Sequence, residues 1–209
     1  MRIVWSLVAA LLIASTPISA QQDDPPETAD GFRRGTVEVS LVAGTTLPVE
    51  WLQAHSDRHA TLTSIDFGRV VTNRVGPGPL AGKLQMLVSL TPVAVFSRPG
   101  SFTTGAAVSP LFLRWNFDSL LGRGAQFFAE GSAGYLHTES PPAGDSISNF
   151  LEQVGFGLRL TRNSGRRVLF GYRFQHVSNG GRTTQNPGSN YNFMYVGFSL
   201  LHRASNLSD

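Results

Sequence analysis

The sequence predicts an all-β fold, an eight-stranded antiparallel transmembrane barrel of the outer-membrane kind, and three observations carry that prediction. Apolar and polar residues alternate with period two through most of the chain after residue 35, the periodicity of a strand with two unlike faces. The alternating stretches run about 9 to 14 residues between clusters of Gly, Pro, Asn and Ser. That is longer than a usual soluble strand and suits the roughly 9 to 11 residues that cross a bilayer. The chain also opens with a secretory-type segment and contains no cysteine, a combination that fits a bacterial envelope protein better than a small disulfide-stapled secreted domain.

Residues 1–20 have the tripartite form of a signal peptide. Arg2 precedes an apolar run from Ile3 to Ala14, and a small-residue site ends at Ile18-Ser19-Ala20. The run is short for a spanning helix, which needs roughly 20 residues, so cleavage after Ala20 is expected. Residues 21–34, QQDDPPETADGFRR, are polar and proline-bearing without period and read as a flexible leader. The barrel domain is assigned to 35–202 and a polar tail to 203–209.

Within the barrel the pattern places strands at about 36–46, 59–74, 82–96, 105–118, 125–138, 149–162, 166–178 and 190–201. The fourth sets Leu111, Leu113, Trp115 and Phe117 against Arg114, Asn116 and Asp118. The fifth sets Phe127, Ala129, Ala133 and Tyr135 against Gln126, Glu130 and Ser132. In the sixth, Val154, Phe156, Leu158 and Leu160 oppose Gln153, Gly155, Gly157 and Arg159. In the seventh, Val168, Phe170, Tyr172 and Phe174 oppose Arg167, Gly171, Arg173 and Gln175.

A soluble sandwich with an apolar core would alternate in the same way. Strand length, the glycines and charges on the polar face, and export without cysteine favour the membrane. Glu38, Glu130, Arg114, Arg159 and Arg173 all fall on the polar face. In a narrow eight-stranded barrel side chains fill the interior, so these charges must pair there, and a lumenal channel is disfavoured.

Of the 17 basic residues only Lys83 is a lysine, and the net charge of +3 is spread along the chain. Nucleic-acid binding would call for a clustered basic face, so no nucleic-acid partner is expected. Arginine suits phosphate recognition and buried ion pairs alike. Motif searches return no GxSxG elbow, HExxH pair, P-loop or GxGxxG turn. His55, His59, His137 and His202 lie near strand ends or loops with no carboxylate or histidine at ligand spacing. Neither a metal nor a cofactor is expected.

His176 differs by its face. Residues two apart in a strand project the same way, so His176 and Ser178 continue the apolar row Val168, Phe170, Tyr172, Phe174 to its end. There the hydrocarbon gives way to headgroups. A serine hydroxyl becomes a nucleophile when a neighbouring base takes its proton, and histidine suits that task near neutral pH. The plain alternative is a pair of polar rim residues.

The stretch GYRFQHVSNGG followed by QNPG, together with FFAEGSAGYLHT, NFLEQVGFGLRL and YVGFSL, resembles the lipid A 3-O-deacylase family of Gram-negative outer membranes, also described as acyloxyacyl hydrolase-like. The resemblance covers about the C-terminal 85 residues well and the N-terminal half only as generic barrel. It implies an active site on the lipid-facing wall at the outer-leaflet end, with lipid A of lipopolysaccharide as the membrane partner. His176 then falls on the base and Ser178 on the nucleophile for hydrolysis of a 3-O-linked hydroxyacyl ester, through an acyl-enzyme and without a metal. It also aligns Asn179, Asn186 and Gly188 with loop positions of the family.

Backbone N–H groups of Gly180 and Gly181, or the Asn186 amide, are candidate donors to the oxyanion; tight-turn chemistry would use the same residue types. Where the family carries an orienting glutamate this chain has Asn190. An amide can hold an imidazole but cannot neutralise its cation. A second carboxylate offers itself through register. If a three-residue loop Asn163-Ser164-Gly165 joins strands six and seven, Arg162 pairs with Arg166 and Glu152 lies across from His176 on the same face. Glu152 is therefore a candidate for the orienting role. The rival to an esterase is a non-catalytic structural or lipid-binding barrel of the same fold.

Overall fold

The computed structural model describes residues 32–49, 58–118, 121, 124–142, 144–161 and 166–202. The expected signal peptide, the leader up to residue 31, the tail from 203, His55 and the Asn163-Ser164-Gly165 loop lie outside the described residues. Eight antiparallel strands form one closed barrel. They are β1 (Val37–Val49), β2 (His59–Val70), β3 (Gly82–Arg98), β4 (Ser101–Phe117), β5 (Ala125–Thr138), β6 (Ser148–Thr161), β7 (Arg166–Ser178) and β8 (Ser189–His202). Each pairs with the next, and β1 closes on β8 from Val37 opposite His202 to Val49 opposite Asn190.

The largest departures from the sequence expectation lie at the end of β2 and between β3 and β4. β2 stops at Val70, after which the chain turns through Gly76 at a φ of 92°. β3 and β4 extend until Arg98 faces Ser101, so only Pro99 and Gly100 connect them. Proline supplies the fixed φ of the first corner, and Gly100 takes the positive φ of 75° at the second, as a tight turn of this kind requires.

The barrel is polar inside and apolar outside. Glu130 accepts from Arg114 at 2.8 Å, Arg173 at 2.7 Å and the Tyr195 hydroxyl at 2.7 Å. Glu38 lies 3.0 Å from Arg159 and 3.4 Å from Arg114. Asp66, which the sequence reading did not single out, approaches Arg173 at 3.6 Å and Arg114 at 3.8 Å and accepts from Ser89 at 2.5 Å. Three carboxylates thus meet three guanidiniums, and the expected pairing of the interior charges is found. Removing one partner of such a buried set typically costs about 3–5 kcal/mol, because the other charge is left uncompensated.

Aromatic rings complete the filling. Arg114 packs 4.8 Å from the Phe128 ring centroid and Arg173 lies 4.5 Å from that of Tyr195. Gly171 makes room for that tyrosine, since a Cβ there would overlap the ring. At the other end Phe32 is fully buried. The Arg159 and Arg167 guanidiniums stand 4.3 and 4.9 Å from its ring, and its carbonyl accepts from Lys83 at 2.5 Å. The last residues assigned to the leader are therefore part of the barrel base.

The outer wall carries Leu41, Phe67, Met86, Leu111, Val154, Phe156, Phe170, Val196, Phe198 and Leu200, all exposed. At about 25 cal/mol per Å² such a wall is costly in water. It exceeds the apolar patch a soluble monomer tolerates. A bilayer relieves both costs, and the closed ladder leaves no strand edge unpaired in it. The fold is that of a transmembrane β-barrel.

Candidate active site

The site is built by three neighbouring strands at the end of the barrel where the β5–β6 and β7–β8 loops lie. Glu152 of β6 faces His176 of β7, which faces Asn190 of β8. The β6–β7 register is the one inferred from the sequence. It places all three side chains in one row on the outer wall, because residues directly opposite in a ladder share a face. Two residues further along β7, Ser178 sits opposite Phe150.

His176 Nδ1 lies 2.6 Å from Asn190 Oδ1. With the amide oxygen as acceptor, Nδ1 carries the proton and Nε2 keeps its lone pair. That is the tautomer a general base needs. Asn190 is fully buried, while His176 and Ser178 are half-buried. The Nδ1 contact is therefore sheltered and the rest of the imidazole partly open. Glu152 stands across from the imidazole, exposed, and forms no hydrogen bond to it. The imidazole's hydrogen-bond partner among the described residues is Asn190, not Glu152.

Gly188 keeps the other edge of the ring clear. It has a φ of 66°, a region that favours glycine. A Cβ there would come within 3.1 Å of His176 Cε1 and 3.8 Å of Nε2. Ser178 and His176 share this edge of the wall without a hydrogen bond between them.

The loop after Ser178 is organised by Asn179, which is buried. Its N–H donates to Asn186 Oδ1 at 3.0 Å, and its amide nitrogen donates to Thr183 Oγ1 at 2.5 Å and the Gln185 carbonyl at 3.0 Å. Asn179 Oδ1 accepts from the Gly181 N–H at 2.8 Å. Of the two glycine donors considered for an oxyanion, Gly181 is thus engaged inside the loop. Gly180 N–H has no partner among the described residues. Asn186 spends its oxygen on Asn179, which leaves its amide nitrogen as the donor.

Two residues outside the sequence expectation hold this loop. Asp145, in the β5–β6 loop, accepts from the Thr183 hydroxyl, from Thr184 Oγ1 at 3.3 Å and from Gln185 N at 3.3 Å. These bonds hold its carboxyl below the usual aspartate range, the Thr183 hydroxyl contributing most. Arg182 donates to the Asn179 carbonyl at 2.9 Å and the Ser148 carbonyl at 2.7 Å. Neither lies in an alternating stretch, so strand periodicity carries no signal for them. His59 and His137 take no part in the row, and among the described residues no cluster of His, Cys, Asp or Glu could hold a metal.

A family model described as lipid A 3-O-deacylase (PagL) matches residues 100–199, a span that contains every residue of this site. Over residues 100–199 the chain is thus similar to that family. A crystal structure of the outer membrane enzyme PagL superposes with a TM-score of 0.52 at 19% identity, covering 77% of this chain and 97% of that one. At that identity the likeness is one of fold. The N-terminal β-barrel domain of Pseudomonas aeruginosa OprF aligns with a TM-score of 0.47 at 14% identity, over 80% of this chain and 98% of that domain. No curated protein matches the sequence.

Proposed function

We propose that this barrel is an esterase of the Gram-negative outer membrane that removes a 3-O-linked hydroxyacyl chain from lipid A. The PagL-family match supports the substrate class, and the apolar wall supports a substrate that arrives from the membrane. The observation that carries the mechanism is the 2.6 Å contact between His176 Nδ1 and Asn190 Oδ1 on the same outward row as Ser178. A base is thereby oriented at the rim of the lipid-facing wall, where both a lipid ester and water can reach it.

In this mechanism His176 Nε2 takes the proton of Ser178 Oγ as the oxygen attacks the ester carbonyl. The Gly180 N–H and the Asn186 amide nitrogen supply donors to the oxyanion that forms. Removal of one such donor typically costs about 10²- to 10³-fold in kcat. Collapse breaks the bond to the sugar oxygen, which leaves with the proton held by His176. Water, deprotonated by the same imidazole, then cleaves the acyl-enzyme and releases the free hydroxy acid. Asn190 fixes the ring throughout but supplies no counter-charge to the imidazolium. The missing charge is what favours the rival reading, a barrel of the same fold without chemistry.

Lipid A mass spectrometry separates the two. The full chain is expressed in a Gram-negative outer membrane as wild type, Ser178→Ala and His176→Ala. Loss of one hydroxyacyl chain in the wild type alone is the expected result. Identical lipid A from all three would leave the non-catalytic barrel.

A further inference from the structure

The mechanism leaves one prominent group at the site unused. The Arg182 guanidinium lies on the rim of the same wall, 4.7 Å from the Phe150 ring centroid and 5.9 Å from that of Tyr135. These two rings meet edge-on at 6.5 Å and 81°. Phe150 is the ladder partner of Ser178. The cation therefore stands one aromatic ring away from the proposed nucleophile.

What holds Arg182 does not neutralise it. Its guanidinium donates to the Asn179 and Ser148 backbone carbonyls and also meets the Tyr135 hydroxyl, and among the described residues no carboxylate pairs with it. Arg114, Arg159 and Arg173, which build the interior, each pair with a carboxylate. Arg182 is also exposed, so its full charge is offered at the edge of the apolar wall. Two carbonyls and two ring faces fix the planar fork in advance. Less entropy is then lost when a ligand takes up the remaining donors. A fixed, uncompensated guanidinium is matched by phosphate, whose oxygens accept two parallel N–H bonds.

We propose that Arg182 forms a subsite for a phosphate group on the headgroup of the lipid whose ester reaches Ser178. The apolar row below would hold acyl chains while Arg182 sets how far along the wall the headgroup sits, and hence which ester meets the nucleophile. The lipid's identity rests on the esterase reading, but the test does not depend on turnover.

Binding is measured with the Ser178→Ala barrel in detergent micelles, using lipid A and the same lipid enzymatically dephosphorylated. The expected result is about tenfold tighter binding of lipid A, since charge-assisted bonds of this kind are the strong ones. Arg182→Gln in that background should remove the difference by weakening lipid A alone, and Arg182→Lys should restore part of it. Equal weakening of both lipids would reduce Arg182 to a staple between loops and overturn the proposal, as would no weakening of either. Inorganic phosphate should compete only with lipid A. Inorganic phosphate bound as tightly as lipid A would assign the site to a free anion and overturn the headgroup assignment. A wild-type barrel that releases no acyl chain would sink the esterase reading without altering these binding outcomes.

Discussion

Replacing Asn190 with glutamate puts a charge where the structure has only a dipole. Asn190 is fully buried and its oxygen already accepts from His176 Nδ1 at 2.6 Å, so the variant adds charge to a contact that is in place. Two unit charges about 4 Å apart attract by about 1 kcal/mol in water and about 4 kcal/mol at an effective dielectric constant of 20. The imidazole is half-exposed and its partner buried, which places the site between those limits. Because the imidazolium exists only after proton transfer, the attraction acts on the transition state and appears in kcat. At about 1.4 kcal/mol per tenfold the expected gain is roughly 5-fold to several-hundred-fold. The longer side chain and the cost of burying a carboxylate in the resting state pull toward the low end. The ascending limb of the pH–rate profile should also move to higher pH, because the carboxylate favours the protonated ring. Single-turnover release of hydroxy acid from lipid A in micelles, followed across pH, measures both effects. A variant that folds, as judged by heat-modifiable migration, yet gains no rate and keeps the wild-type profile would refute the assignment of Asn190 as the orienting group.

Three further outcomes follow from the same row and its loop. Glu152 faces the imidazole without bonding it, so Glu152→Gln should change the deacylation rate by no more than about threefold. Loss of the orienting hydrogen bond in Asn190→Ala should cost about 10- to 100-fold, the scale of a bond to a group that becomes charged; the reverse order would return the orienting role to Glu152. Asp145 is held below its ordinary range by the Thr183 hydroxyl and the Gln185 N–H. A depressed carboxyl contributes above its unfolded value, near 3.9, and loses that contribution as pH falls through the lower folded value. The tie between loops should therefore be complete at neutral pH and weaken below about pH 4. Asp145→Asn should loosen it at neutral pH, seen as faster tryptic cleavage after Arg182 than in the wild type. Equal cleavage rates would mean that Asp145 does not hold the loop.

What could be read in the sequence is what period two encodes. Strand count, the outward row ending in His176 and Ser178, and the pairing of Glu38, Glu130, Arg114, Arg159 and Arg173 all follow from face parity and the cost of an unpaired interior charge. The Glu152–His176 register followed from one loop length and the need to match apolar faces. Parity says nothing about which neighbour a side chain bonds. The imidazole could turn toward β6 or β8, and only its 2.6 Å contact with Asn190 decides. Nor does parity reach the loops. Asp145 and Arg182 come from separate connections that fold onto one another, and their meeting depends on long-range closure. Phe32 was hidden for a related reason: one aromatic in a polar leader has no period, and its place under the barrel is set by Arg159 and Arg167.

The position of Asn190 ties the site to the closure of the barrel. On one side it pairs with His176, and on the other it is the last partner of β1, opposite Val49. A slip of one residue in β8 would turn Asn190 inward and bring Tyr191, an interior residue, out toward His176. Such a slip is opposed all along the strand by the interior set, through the Tyr195 bond to Glu130 at 2.7 Å and the fit of its ring against Gly171. The charged network inside the barrel therefore positions a hydrogen bond on the outside. In the proposed mechanism, rigid placement on strands rather than on a loop would let a neutral amide serve where a charged group would be stronger. In the proposed mechanism the ring would be held in the productive tautomer before substrate arrives, and the orientation cost would be met during folding instead of in the reaction.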